Sequence, residues 1–132
     1  MTFGSDAAKT ALVTGGARRV GRAVALRLAR DGFDVAVTYR SSKRDADSLA
    51  REIAETGRRC ETIRADFSEP EAAAKRVANE MLERFDRLDV LVHNASLFAE
   101  RAVEEIDVDH ARKMHDVNAL APLLLTRELA PV

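Results

Sequence analysis

The sequence runs from an apolar stretch, Thr10-Ala11-Leu12-Val13, straight into Thr14-Gly15-Gly16-Ala17-Arg18-Arg19-Val20-Gly21 and then into an amphipathic segment. That loop constrains the fold more than any other feature of the chain. Glycine at the turn lets the backbone reverse tightly and lets another group approach it closely. The helix start beyond it offers unpaired N–H groups and the positive end of the helix dipole. Together these make an anion cradle, although the same residues would also serve a tight turn with no ligand. Arg18 and Arg19 bear on the choice, because cations at a helix N-terminus oppose the dipole. A bound anion removes that conflict.

The rest of the chain alternates short apolar runs with longer amphipathic ones. Arg19 to Arg30 reads as a helix stopped by Gly32, and Asp34 to Tyr39 as a strand without strict alternation. Such strands belong to a parallel sheet covered on both faces. Lys43 to Thr56 is a second helix closed by Gly57, and Cys60 to Ala65 a third strand. Ser68 and Glu71 fit a capping box that opens a third helix running to about Phe85. Leu88 to Val92 is the fourth strand. A helix is expected over Asp109 to Asn118, then a leucine-rich one still running at the last residue. The order βαβαβαβ followed by two helices implies a doubly wound α/β Rossmann sheet with right-handed crossovers. Residues 1–9 form a polar tail, and 10–132 form the dinucleotide-binding part of a single domain.

Composition narrows the partners. The 132 residues carry a net charge of −1, which argues against nucleic acid or an anionic membrane as the main partner. No apolar run reaches membrane-spanning length. The single cysteine, Cys60, favours a reducing compartment, so a cytoplasmic location is expected, with Cys60 as a small core side chain. His93, His110 and His115 lack metal-ligand spacing, and no metal is assigned.

About twenty residues beyond the glycine loop, the second strand ends in Tyr39-Arg40-Ser41-Ser42. An NAD-selective dinucleotide fold places a carboxylate there for the ribose 2′-hydroxyl. A guanidinium and two hydroxyls suit a 2′-phosphate instead, so NADP(H) is the expected cofactor. The basic strand end also weakens an adenosylmethionine-dependent reading. Asp66, beside Phe67, ends the third strand and would either bond the adenine amino group or help cap the next helix. His93-Asn94-Ala95-Ser96 follows the fourth strand, where small polar residues let a cofactor lie against the backbone.

From about Lys9 onward these pieces resemble the short-chain dehydrogenase/reductase family. Its TGxxxGxG motif stands here with Arg19 in place of the middle glycine, which resembles the pteridine and dihydromonapterin reductase branch. There the arginine contacts cofactor phosphate and faces the pterin. The family's NNAG motif appears as His93-Asn94-Ala95-Ser96, and the serine points to the same branch. The resemblance implies that Thr14, Gly15, Arg18, Arg19, Val20 and Gly21 hold the cofactor, with Arg40, Ser41, Ser42, Asp66, Phe67, Asn94, Ala95 and Ser96. Arg19, Ser96 and Phe98 would meet a pterin or other carbonyl or imine substrate, although Phe98 reads equally well as a core or loop-anchoring side chain. Asn118, in Asp116-Val117-Asn118, matches the asparagine that holds a water in the family's proton relay, or else marks a polar break between helices.

The resemblance also implies residues not found here. Hydride transfer in the family uses a Tyr-xxx-Lys pair well beyond that asparagine, whereas this sequence ends at Val132 and its one tyrosine is Tyr39. The chain alone is therefore expected to be inactive, as a fragment or a partner-dependent, non-catalytic NADP(H) module. The expected strand order is 3-2-1-4, with strand four an unprotected edge. The final helix is expected to lose its covering neighbours and the dimer partner it has in the homo-oligomeric full-length relatives, favouring irregular association.

Overall fold

A computed structural model describes residues 8–131; the polar tail lies mostly outside them. Four parallel strands, β1 (Thr10–Val13), β2 (Asp34–Tyr39), β3 (Cys60–Arg64) and β4 (Val90–Val92), form one sheet in the order β3-β2-β1-β4. Helices α1 (Arg19–Arg30), α2 (Lys43–Glu55) and α3 (Pro70–Arg84) connect them. Beyond β4 come a 3-10 turn at Val103–Glu105, α4 (Val108–His115), a π turn at Asp116–Leu120 and α5 (Ala121–Leu129).

The two central strands, β1 and β2, are mostly apolar because both their faces are buried, whereas the outer β3 carries Glu61, Thr62 and Arg64 and buries only Ile63. Leu12, Ala36 and Ile63 point to one side, where Val77, Met81, Leu125 and Leu129 from α3 and α5 cover them. Val13, Val35 and Val37 point to the other, against Ala25, Ala29, Leu49 and Ile53 from α1 and α2. Each of these side chains is within a few per cent of full burial. Burying one aliphatic side chain of this size contributes roughly 1.5–3 kcal/mol. This three-layer arrangement is the expected doubly wound fold, and β4 has a strand on one side only among the described residues.

Four local expectations need correction. The capping box does not form, since Ser68 donates both its hydroxyl and its N–H to Asp66 Oδ1, at 2.7 and 3.0 Å. The N-cap falls one residue later, at Glu69, so Ser68 stands outside the first turn and closes a turn with Asp66 instead. The helix then starts at Pro70 without a side-chain cap. The two terminal helices are not separated by a break: the π turn joins α4 to α5. α4 begins one residue earlier than expected, where the Asp107 carboxylate caps it by accepting from His110 N at 2.7 Å. Finally, α5 ends at Leu129, and α3 covers it along Ala121, Leu125 and Leu129, leaving Leu123 65% exposed.

Candidate functional site

The carboxyl ends of the four strands open into one cavity of about 490 Å³. β1 lies between β2 and β4, so successive connections leave it toward opposite faces and a crevice forms between them. The glycine loop forms one wall through Gly15, Ala17, Arg18, Arg19 and Val20. Thr38 to Ser42 form the second, and Ala65, Asp66 and Phe67 the third. Asn94 to Leu97, with Val117 from the π turn, complete it. Twelve of the residues expected at a cofactor thus share one cavity: Gly15, Arg18, Arg19, Val20, Arg40, Ser41, Ser42, Asp66, Phe67, Asn94, Ala95 and Ser96.

Thr14 and Gly21 do not line the cavity; they hold its wall in shape. Thr14 is 3% exposed, and its hydroxyl accepts the N–H groups of Asn94 and Ala95, both at 3.0 Å. The Asn94 amide donates back to the carbonyls of Thr14 and Gly15, each at 3.1 Å. These four bonds fasten the β1–α1 loop to the segment after β4. Gly15 adopts φ +62°, and a Cβ there would press on Ala95 Cα at 3.0 Å. Only glycine meets both conditions without strain. Thr38, which sequence reasoning missed, accepts the Gly15 N–H at 3.0 Å from full burial.

Arg19 takes φ +52°, so a non-glycine residue holds the left-handed conformation in the place of the family motif's middle glycine. Its neighbour Arg18 reaches sideways, with Nε 3.4 Å from Asp45 Oδ2 and Nη1 3.5 Å from Ser42 Oγ. Ser42 is the N-cap of α2, yet its side chain makes no capping bond. Arg18, Arg40, Ser41 and Ser42 therefore gather at one end of the cavity, beside an uncapped helix start. Asp66 stands further along the rim. Hydrogen bonds from Ser68 hold its carboxyl below the usual range, with help from the positive charges of Arg40 and Lys113.

The far side is built around the π turn. Asn118 accepts from Leu97 N and donates to Leu97 O, both at 2.8 Å, and so clamps the backbone of the cavity-lining segment. Asn118 itself does not line the cavity, and neither does Phe98, which is 80% exposed. His93 Nε2 lies 2.7 Å from Thr126 Oγ1, whose hydroxyl donates to the Pro122 carbonyl at 2.8 Å. With its hydrogen so committed, Thr126 accepts from an imidazole protonated at Nε2. Burial pushes the His93 pKa down. Cys60 is a desolvated strand thiol pushed up to about 12, which leaves it a poor nucleophile. Among the described residues no cluster of histidine, cysteine and carboxylate side chains could hold a metal ion, and no helix is long and apolar enough to cross a membrane.

Comparison with known proteins agrees with this geometry. The short chain dehydrogenase family model matches residues 9–132. An uncharacterized oxidoreductase of Methylorubrum extorquens is 39% identical, covering 90% of this chain and 48% of its own length. A hydroxynaphthalene reductase-like protein of Metarhizium majus is 34% identical, with 93% of this chain and 46% of that protein covered. The crystal structure of a short chain dehydrogenase from Burkholderia cenocepacia in complex with NADP superposes with a TM-score of 0.89 at 37% identity. That match covers 93% of this chain and 50% of the other. A blue fluorescent protein from a metagenomic library, in complex with NADPH, gives 0.88 at 34% identity over 93% and 50% of the two chains. The chain spans about half the length of the curated relatives it matches. By its cavity, its sheet order and the family model that covers it from residue 9 onward, this chain belongs to the short-chain dehydrogenase family of oxidoreductases.

Proposed function

We propose that this chain binds NADP(H) and supplies the cofactor-binding half of an NADPH-dependent, pteridine-type reductase. The observation that carries the reading is the meeting of Arg18, Arg40, Ser41 and Ser42 at one end of the cavity. A 2′-phosphate there would receive charge-assisted hydrogen bonds from guanidinium and hydroxyl groups. The residues fit such a ligand in a second respect, since Ser42 on the cavity lining leaves the start of α2 without a side-chain cap, with N–H groups free for an anion.

NADPH, when bound, supplies a hydride. The chain's own residues would seat and orient it. Arg19 would face the pyrophosphate from the helix start, Asp66 and Phe67 would border the adenine, and Ala95 and Ser96 would support the ribose. Asn118 would fix the lining backbone through Leu97. The pterin preference rests on Arg19 and Ser96, both lining the cavity, and on Phe98, which a bound pterin would draw inward to stack. A pterin or another carbonyl or imine compound would be the substrate, in the cytoplasm and within a homo-oligomer.

A second reading is a non-catalytic NADP(H)-binding module that works with a partner chain. Tyr39 favours it. Lys43 follows this tyrosine at the four-residue spacing of the family's pair. Yet the two straddle the end of β2 and the start of α2, and the Lys43 ammonium is taken by Asp47 at 3.1 Å. Calorimetric titration with NADP and NAD tests the shared core of both readings. Preferential NADP binding that drops at least tenfold in Arg40→Ala is expected; equal binding of the two dinucleotides would sink it. NADPH-dependent turnover of a dihydropterin by the chain alone would exclude the non-catalytic module.

A further inference from the structure

We infer that Asp45 is a specificity-determining residue: an internal anion, paired with Arg18, that a ligand's phosphate must displace to reach the end of the cavity. The inference rests on the reading that a 2′-phosphate docks beside Ser41 and Ser42. Arg18 is the lining cation whose charge is already engaged, with its Nε 3.4 Å from Asp45 Oδ2. The same guanidinium spans to Ser42 Oγ at 3.5 Å, so the pair lies across the very residues that would bind phosphate. Among the described residues neither Arg19 nor Arg40 forms such an ion pair.

Position and backbone explain why Asp45 stays there. It occupies the first turn of α2, where the helix dipole favours a carboxylate. Its carbonyl accepts from Arg22 Nη1 at 3.1 Å, which fixes the backbone of that turn. Its side chain is 50% exposed and that of Arg18 57%, so water screens the pair and keeps it weak. A phosphate carrying nearly two charges outcompetes one carboxylate for the guanidinium, then meets that carboxylate as a like-charged neighbour. Asp45 thereby lowers affinity for phosphate at this end while sparing ligands that bear only hydroxyls there.

The test is Asp45→Asn, which keeps the shape and removes the charge. Affinities for NADP, NAD and adenosine 2′-phosphate are measured by calorimetry in wild type and variant at low and high salt. NADP and adenosine 2′-phosphate should bind about three- to tenfold tighter to the variant, chiefly at low salt, with NAD unchanged. Asp45→Ala should show the same selectivity, and matching thermal midpoints would exclude a general loosening of α2. Weaker NADP binding in Asp45→Asn would make the carboxylate a support and overturn the proposal, as would equal changes for NADP and NAD. A wild-type chain that prefers NADP, with that preference untouched by Asp45→Asn, sinks this inference alone. A wild-type chain with no preference sinks it together with the reading beneath it.

Discussion

Asn94 fills the space that any side chain on Gly21 would need: a Cβ there would collide with the Asn94 amide nitrogen and the Gly15 carbonyl oxygen. The first turn of α1 can therefore lie against the β4 end only because residue 21 has no side chain. Packing, not backbone conformation, is the reason for this glycine, since its φ is not in the left-handed region.

Gly21→Ala should accordingly lower stability by about 1–3 kcal/mol, the usual range for overpacking a tight site. The shift would appear in the denaturant midpoint, and dinucleotide affinity should fall with it because Asn94 can no longer hold the loop. Full stability with unchanged affinity would show that the contact relaxes freely.

Arg19→Gly separates two roles of one residue. The left-handed backbone at Arg19 costs about 1–2 kcal/mol in a residue with a Cβ, whereas glycine adopts it freely but loses more entropy on folding. The two effects largely offset, so urea unfolding should place the variant within about 1 kcal/mol of the parent. NADP affinity should nevertheless drop about tenfold with the loss of the cation. A strongly destabilised variant that still binds would reverse this assignment and make Arg19 a structural residue.

His93 should give the fold an acid-sensitive step. Its folded pKa is depressed by burial, so the unfolded chain takes up the proton first as pH falls. Stability attributable to His93 is then complete above its unfolded pKa of about 6.5 and is lost as pH falls from there toward the folded value. The denaturant midpoint measured from pH 8 to pH 5 should decline, and His93→Asn should flatten that decline. Parallel slopes for parent and variant would assign the step to other groups.

The strands and helices were legible because burial on both sheet faces leaves a local trace, as in Val35 to Val37, and because Gly32 and Gly57 mark two helix ends with φ of +98° and +84°. The basic end of the cavity was legible for a similar reason: Arg40, Ser41 and Ser42 are consecutive. Contacts between distant segments left no such trace. Thr38 reads as one more strand residue until the parallel register of β1 and β2 brings it to the Gly15 N–H. Asn118 suggested a break or a relay residue, yet it bonds Leu97 across twenty-one positions of sequence. The Ser68 capping box failed because the helix cap falls at Glu69, one residue later, while Ser68 closes a turn with Asp66.

One guanidinium joins both sides of the cavity mouth. Arg22 donates to the carbonyls of Ala17 and Asp45, at 3.4 and 3.1 Å, and to Ser48 and Glu52 of α2, at 3.4 and 2.8 Å. The glycine loop and the start of α2 therefore move as one piece. A dinucleotide lying across them would meet a seat already assembled, without the entropy loss of ordering two independent walls. Calorimetry would record that economy as a small entropic penalty, and cutting the link in Arg22→Met would enlarge it even though Arg22 does not line the cavity.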